Sequence, residues 1–330
     1  MSPLMELIEA LDLTSVWTYL ALFLAASLLM IWRLEALLSH GLEGTALGTL
    51  VMPYCSGLGN LIFVAIIAAR GGPAQEVLTN SLVNNVTNLT LVLALPTLAW
   101  GLSLRGGATR KKTTDTTEQL NRLSLLLSLG AVLFFTGVTW ALGEDGRISR
   151  SDGLVLIGVF LFWQCFQVFD VLRQNVRQRR SFGAAFYVDL GLVLIGAYAL
   201  YVSIEWLVAW LSARPAGWVS AQHLGWLSGW LMVLPNALIA FYYAARRRAD
   251  IAFASQIGDG HICIPLCVGL IALVQPFAVP RFFATGLVIL AAAAIVHGIC
   301  LMVSGGLPRW LGWPLLAGYA VFVAQGLGAA

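Results

Sequence analysis

Charge is scarce in this 330-residue chain: Asp, Glu, Lys and Arg together make up 11% of it. A soluble domain of this size carries about a quarter charged residues, so a water-facing globular class is excluded. Cysteine is sparse as well. Cys55, Cys165, Cys263, Cys267 and Cys300 all fall inside apolar stretches and give no disulfide framework. Cys263 and Cys267 share a helix face near His261, where thiols packed as small apolar residues are a better reading than a structural metal site. His-Glu-x-x-His, Gly-x-Ser-x-Gly and phosphate-cradling loops are missing, so neither an enzyme nor a resident cofactor is expected. Residues 1–15 have no basic region ahead of an apolar stretch and no obvious small-residue cleavage site, which argues against a cleaved signal peptide.

What fills the chain instead is apolar sequence. It is 59% hydrophobic with a mean hydropathy of +0.84. Stretches of roughly 20 residues or more are long enough to cross a hydrocarbon layer about 30 Å thick. The expected fold is therefore an all-α membrane protein whose first partner is the lipid bilayer. Ten spans are expected, near 16–38, 43–69, 74–103, 121–143 and 152–172, then 184–212, 217–246, 249–275, 281–305 and 308–328. Five spans per half is an odd number, so two related halves would enter the membrane from opposite sides as inverted repeats. The loops after the odd-numbered spans, with adjoining span ends, hold 14 basic residues against 5 on the other side. That bias places the odd loops in the cytoplasm and both termini outside. It also accounts for the net charge of +3, so no nucleic-acid partner is implied. A multi-pass protein of a bacterial inner (plasma) membrane is the expectation.

The halves carry a shared signature. Residues 60–70 read NLIFVAIIAAR and residues 236–246 read NALIAFYYAAR, each starting with Asn and ending with Ala-Ala-Arg. Each follows an apolar stretch interrupted by glycine or proline, MPYCSGLG and SGWLMVLP. Paired interrupted segments in two halves point to the midplane site of a secondary transporter. The expected organisation is an N-terminal repeat at 1–172 with its motif near 51–95, a basic linker at 173–183, and a C-terminal repeat at 184–330 with its motif near 227–270. Spans 2 and 7, interrupted near Gly57 and Pro235, are the ones expected to be broken.

A second polar segment follows each Ala-Ala-Arg: TNSLVNNVTNLTLVLAL at 79–95 and ASQIGDGHICIPLCVGL at 254–270. Polar groups inside a span are costly unless they face protein, water or an ion. Ser81, Asn84, Asn85 and Asn88 are spaced along one helical face. An inter-helical hydrogen-bond seam is the plain alternative to an ion pathway there. Asp259, between Gly258 and Gly260, is the carboxylate nearest the middle of a span, and intramembrane carboxylates are functional candidates by default. Asp259 and His261 are the candidates for proton coupling. Glu205, near a span end, is expected to reach water, and His297 to bond a facing helix.

These segments resemble the sodium/calcium exchanger, or calcium/cation antiporter, superfamily. That family has two inverted five-helix halves, each with a Gly-Thr-Ser-x-Pro-Glu type segment and a Gly-Asn-x-x-Gly-Ser-Asn-x-x-Asn type segment. Ser56-Gly57-Leu58-Gly59-Asn60 and Met232-Val233-Leu234-Pro235-Asn236 look like the first, and residues 79–88 and 254–263 look like the second. The resemblance implies a cation antiporter working by alternating access, with ion-binding residues at Ser56, Asn60, Asn84, Asn85, Asn88, Asn236 and Asp259. The family's coordinating Glu falls at Asn60 and at Asn236. An Asn carbonyl ligates a cation without offsetting the charge of a dication. Na⁺ or H⁺ is thus expected in preference to high-affinity Ca²⁺. The alternative is a divergent exchanger fold that moves a different solute or none.

Overall fold

The computed structural model describes residues 3–11, 13–37, 57–104, 113–175 and 183–328. Ser56, the start of the second span and most of the linker lie outside the described residues. A short helix the sequence did not suggest, α1 (Pro3–Ala10), precedes α2 (Val16–Leu37). Next, α3 (Leu58–Arg70) stops at Gly71, whose φ of 63° is left-handed. There the amides of Gly71 and Gly72 close back onto the carbonyls of Ala68 and Ile67, a glycine-dependent helix stop. The third span joins α4 (Gln75–Thr87), a π turn at Asn88–Val92, and α5 (Leu93–Trp100). Helices α6 (Thr113–Leu142) and α7 (Arg150–Asn175) complete this half.

The second half follows the same plan. It runs α8 (Ala184–Ser212), α9 (Leu224–Ala245), α10 (Ala249–Gly258), α11 (Gly260–Ile262), a π turn at Cys263–Cys267, α12 (Val268–Val274), α13 (Phe283–Ser304) and α14 (Gly312–Leu327). Among the described residues nine helical spans are long and apolar enough to cross a membrane, and Leu58–Arg70 is a shorter apolar helix. The bounds of the nine spans fall within a few residues of those expected, apart from the earlier start of α6, and Leu58–Arg70 ends one residue past the expected end of the second span.

The expectation of a broken seventh span is corrected. Helix α9 runs through Pro235 to Ala245. Proline removes one backbone donor, but a membrane bundle satisfies the freed carbonyl locally and the helix continues. The interruptions fall in spans 3 and 8, as the two π turns, 175 residues apart. Such turns insert one residue into the hydrogen-bond ladder and re-aim the side chains beside them. These two spans are also the central ones: most residues of Gln75–Trp100 and Ala249–Val274 are buried, whereas few of Val16–Arg33 are.

Reciprocal contacts tie the halves together. Strand β1 (Leu102–Ser103) pairs antiparallel with β4 (Gly306–Leu307), and β2 (Arg147–Ile148) pairs with β3 (Phe277–Ala278). The loop after span 3 thus meets the loop between spans 9 and 10, while the loop after span 8 meets that between spans 4 and 5. Helix approach repeats the pattern. A Cβ on Gly153 of α7 would lie 2.8 Å from the Gly269 carbonyl of α12, and one on Gly312 of α14 would lie 2.8 Å from the Ala94 carbonyl of α5. Glycine lets these backbones touch, the usual basis of close helix pairing in lipid. Gly153→Leu is expected to lower stability by about 1–3 kcal/mol through overpacking. Thermal melting in detergent checks this, and an unchanged midpoint would show that the helices are not held at that distance.

Helices α2 and α8 stand apart from this strapped core. They pack most extensively against each other, with Tyr19 stacked on Trp206 at 4.1 Å between ring centroids. Arg33 of α2 meets Asp189 of α8 at 3.1 Å.

Candidate ion site

Three polar residues reach the same depth from different helices. Asn60 lies ten residues before the end of α3, Asn236 twelve residues into α9, and Asp259 ten residues beyond the start of α10. At about 1.5 Å per residue each is roughly 15–18 Å from its membrane face, near the middle of a layer about 30 Å thick. Asp259 is 0% exposed, Asn236 4% and Asn60 2%.

Local sequence explains how a carboxylate fits here. Asp259 sits where α10 passes into α11, flanked by two glycines. A side chain on Gly260 would put a Cβ 3.0 Å from both Asn85 Oδ1 and Val132 Cγ2. Without it, span 8 comes close against span 3 and α6. Asn88 opens the π turn of span 3, which aims its amide at Asp259.

The identified partners of the carboxylate are amide groups. Asn236 Nδ2 donates to Asp259 Oδ2 at 2.5 Å, and Asn88 Nδ2 donates to the same oxygen at 3.4 Å. Asn88 Nδ2 also lies 2.9 Å from Asn84 Oδ1. Gln256, one turn before Asp259, donates Nε2 to the Asn236 main-chain carbonyl at 3.0 Å. A carbonyl can only accept, so this bond fixes the amide orientation and leaves Oε1 as the other arm. That Oε1, together with Asn60 Oδ1, Asn88 Oδ1, Ser81 Oγ and Thr87 Oγ1, is buried without a hydrogen-bond partner. Buried polar atoms are nearly always bonded, so such a set of oxygens calls for an explanation. Asn88 and Asn236 hold amide groups beside one carboxylate, and neutral oxygens with a single carboxylate are the kind of ligands a hard cation takes at low total charge.

An open crevice borders this region. It is lined by Phe23, Ser27, Met30 and Ile31 of α2, Leu200 of α8, Gly59 and Asn60 of α3, and Met232, Pro235 and Asn236 of α9. The crevice therefore runs along the seam between the α2/α8 pair and the core, and the two paired asparagines line it.

The structure thus brings together Asn84, Asn88, Asn236 and Asp259, and places Asn60 with Asn236 along the crevice. Asn85 donates Nδ2 to the Ser81 carbonyl of its own helix at 2.7 Å and keeps its Oδ1 on the side of Gly260. His261 is turned to α6, with Nε2 3.0 Å from the Ser128 carbonyl and its ring edge-on to Phe135 and at an angle to Trp163. The ring is thus bonded as an ordinary hydrogen-bonding histidine on a different side of the helix from Asp259. Glu205 meets Arg70 at 3.6 Å, and His297 bonds the Ala293 carbonyl of its own helix at 2.6 Å rather than a facing helix. Among the described residues no group of three or more His, Cys, Asp or Glu is placed to hold a metal ion. Gln256 was not anticipated, although its i, i+3 spacing to Asp259 marks the same helix face.

Residues 13–169 match the family model described as sodium/calcium exchanger protein. No curated protein matches the chain in sequence. Solved structures of the sodium-calcium exchanger NCX_Mj share the fold. The form soaked with 100 mM Na⁺ and 10 mM Sr²⁺ is 19% identical with a TM-score of 0.66, covering 93% of this chain and 95% of that one. The form soaked with 2.5 mM Na⁺ and 10 mM Sr²⁺ is 18% identical with a TM-score of 0.67, covering 93% and 96%.

Proposed function

We propose that this divergent member of the sodium/calcium exchanger family is a secondary active cation antiporter working by alternating access. Residues 1–172 and 184–330 are its two inverted five-helix repeats, joined by 173–183, a reading supported by the reciprocal strand pairs and glycine contacts. Asp259 holds the transported cation, with Asn60, Asn84, Asn88 and Asn236 supplying neutral oxygens. Helices α2 and α8 move against the core and expose the site to each side in turn. The orientation with both termini outside rests on the basic-residue bias.

The observation that carries the ion preference is the pairing of Asn236 with Asp259. One carboxylate among amides offers a single negative charge, which matches Na⁺ or H⁺. A dication would keep a net positive charge in a low-dielectric site, at high cost. The NCX_Mj structures include forms soaked with Na⁺ and Sr²⁺, and this chain shares that fold.

A second reading is favoured by the same short bond. Asn236 Nδ2 at 2.5 Å from Asp259 satisfies the carboxylate within the protein, as in a fold that moves another solute or none. Flux measurements in proteoliposomes separate the two. Imposed gradients of Na⁺, H⁺, K⁺ and Ca²⁺ are expected to drive counterflow of Na⁺ or H⁺, with Ca²⁺ at least about tenfold less effective. Absence of gradient-driven exchange for all four would favour the second reading.

A further inference from the structure

Asn236 links the crevice to Asp259, and a second line of polar groups also leads to that carboxylate. On α4, Glu76, Asn80 and Asn84 recur at every fourth position and continue to Asn88 at the π turn. This stripe spans twelve residues, or about 18 Å at 1.5 Å per residue. It faces α9, which starts at the same membrane face. Glu76 Oε2 accepts the Gly225 amide at 2.6 Å, Asn80 Nδ2 donates to Ser228 Oγ at 3.0 Å, and Asn88 and Asn236 converge on Asp259 Oδ2. Gly225 and Gly229 allow the approach. A Cβ on Gly225 would lie 2.7 Å from the Glu76 carbonyl, and one on Gly229 would lie 3.0 Å from that of Asn80.

A structural seam needs no carboxylate at its outer end. An amide or hydroxyl would cap α9 equally well, and a half-buried Glu adds a desolvation cost. Asn80 and Asn84 are 1% and 0% exposed, so the stripe is polar from the membrane face to the midplane, not only at its rim. Resting on the antiporter reading above, we propose that Glu76 is the access carboxylate for cations approaching Asp259 from the membrane face that carries the α3–α4 turn. It concentrates positive charge at the head of the stripe, and the amides of Asn80, Asn84 and Asn88 replace water on the way to the site.

Glu76→Gln separates this role from capping, because the Gln carbonyl still accepts the Gly225 amide while the charge is gone. In vesicles of defined orientation, ²²Na⁺ and proton fluxes would be measured from each face. For cation presented at the Glu76 face, kcat/KM is expected to fall about tenfold, the lower end of what a focused charge contributes to association. From the opposite face it should stay within about twofold, and cation-dependent thermal stabilisation should keep its midpoint. Asn80→Leu, which interrupts the stripe without touching Glu76, should give the same one-sided loss. Equal losses from both faces, or none, would overturn the inference while leaving the antiporter reading intact. A wild-type protein without cation exchange would overturn both.

Discussion

Asp259→Asn is expected to abolish coupled cation flux in proteoliposomes while the protein remains folded. The substitution is nearly isosteric, and an amide oxygen can still accept the hydrogen bonds that Asn236 and Asn88 give to Asp259 Oδ2. What disappears is the charge that offsets a bound cation. Two unit charges about 4 Å apart at an effective dielectric of about 20 attract with about 4 kcal/mol. That corresponds to about a thousandfold in affinity. Flux should therefore drop to the level of empty vesicles at millimolar cation. Flux comparable to wild type would remove Asp259 from the site, whatever the fold.

The second large effect runs the other way. Asn60 and Asn236 both line the crevice, and Asn236 already touches Asp259. Replacing both with Glu would place two more carboxylates around the same space. Affinity for Ca²⁺ in oxygen sites is set largely by the number of charged ligands. The double variant is expected to bind Ca²⁺ at least about a hundredfold more tightly than wild type, measured by calcium-dependent melting or ⁴⁵Ca²⁺ binding. Without Ca²⁺ it should be less stable than wild type, since an ionised Glu at 236 opposes Asp259 where an amide now donates. Unchanged Ca²⁺ affinity in a folded double variant would mean that these positions do not face the cation.

Much of the architecture was legible because membrane crossing is written in composition. Long apolar stretches need no tertiary information. The repeated Asn and Ala-Ala-Arg segments picked out Asn60 and Asn236, and both line the crevice. The location of the helix breaks was not legible. Pro235 looked like an interruption, yet the bundle carries α9 through it, while Pro265 lies inside the second π turn and Pro96 four residues beyond the end of the first. A π turn is a one-residue excess that only packing against neighbours reveals.

Side-chain aim was the other hidden property. Asn84, Asn85 and Asn88 look equivalent by spacing, but Asn85 turns back to Ser81 while Asn88 reaches Asp259. His261 is close to Asp259 in sequence, and its ring lies against α6. Gln256 went unnoticed because an amide in a polar run carries no distinctive signal until Asn236 is seen across from it.

The measurement that bears most directly on the account is cation-dependent thermal stabilisation of the purified protein, compared between wild type and Asp259→Asn. A ligand bound only by the folded state stabilises by mass action, about 2.7 kcal/mol at a hundred times its Kd. The wild type should melt at higher temperature as Na⁺ replaces an inert organic cation, or, if it is a proton site, as pH is lowered without Na⁺. The variant should show no such dependence. Equal stabilisation of both proteins, or of neither across Na⁺, H⁺, K⁺ and Ca²⁺, would contradict a cation site built on Asp259.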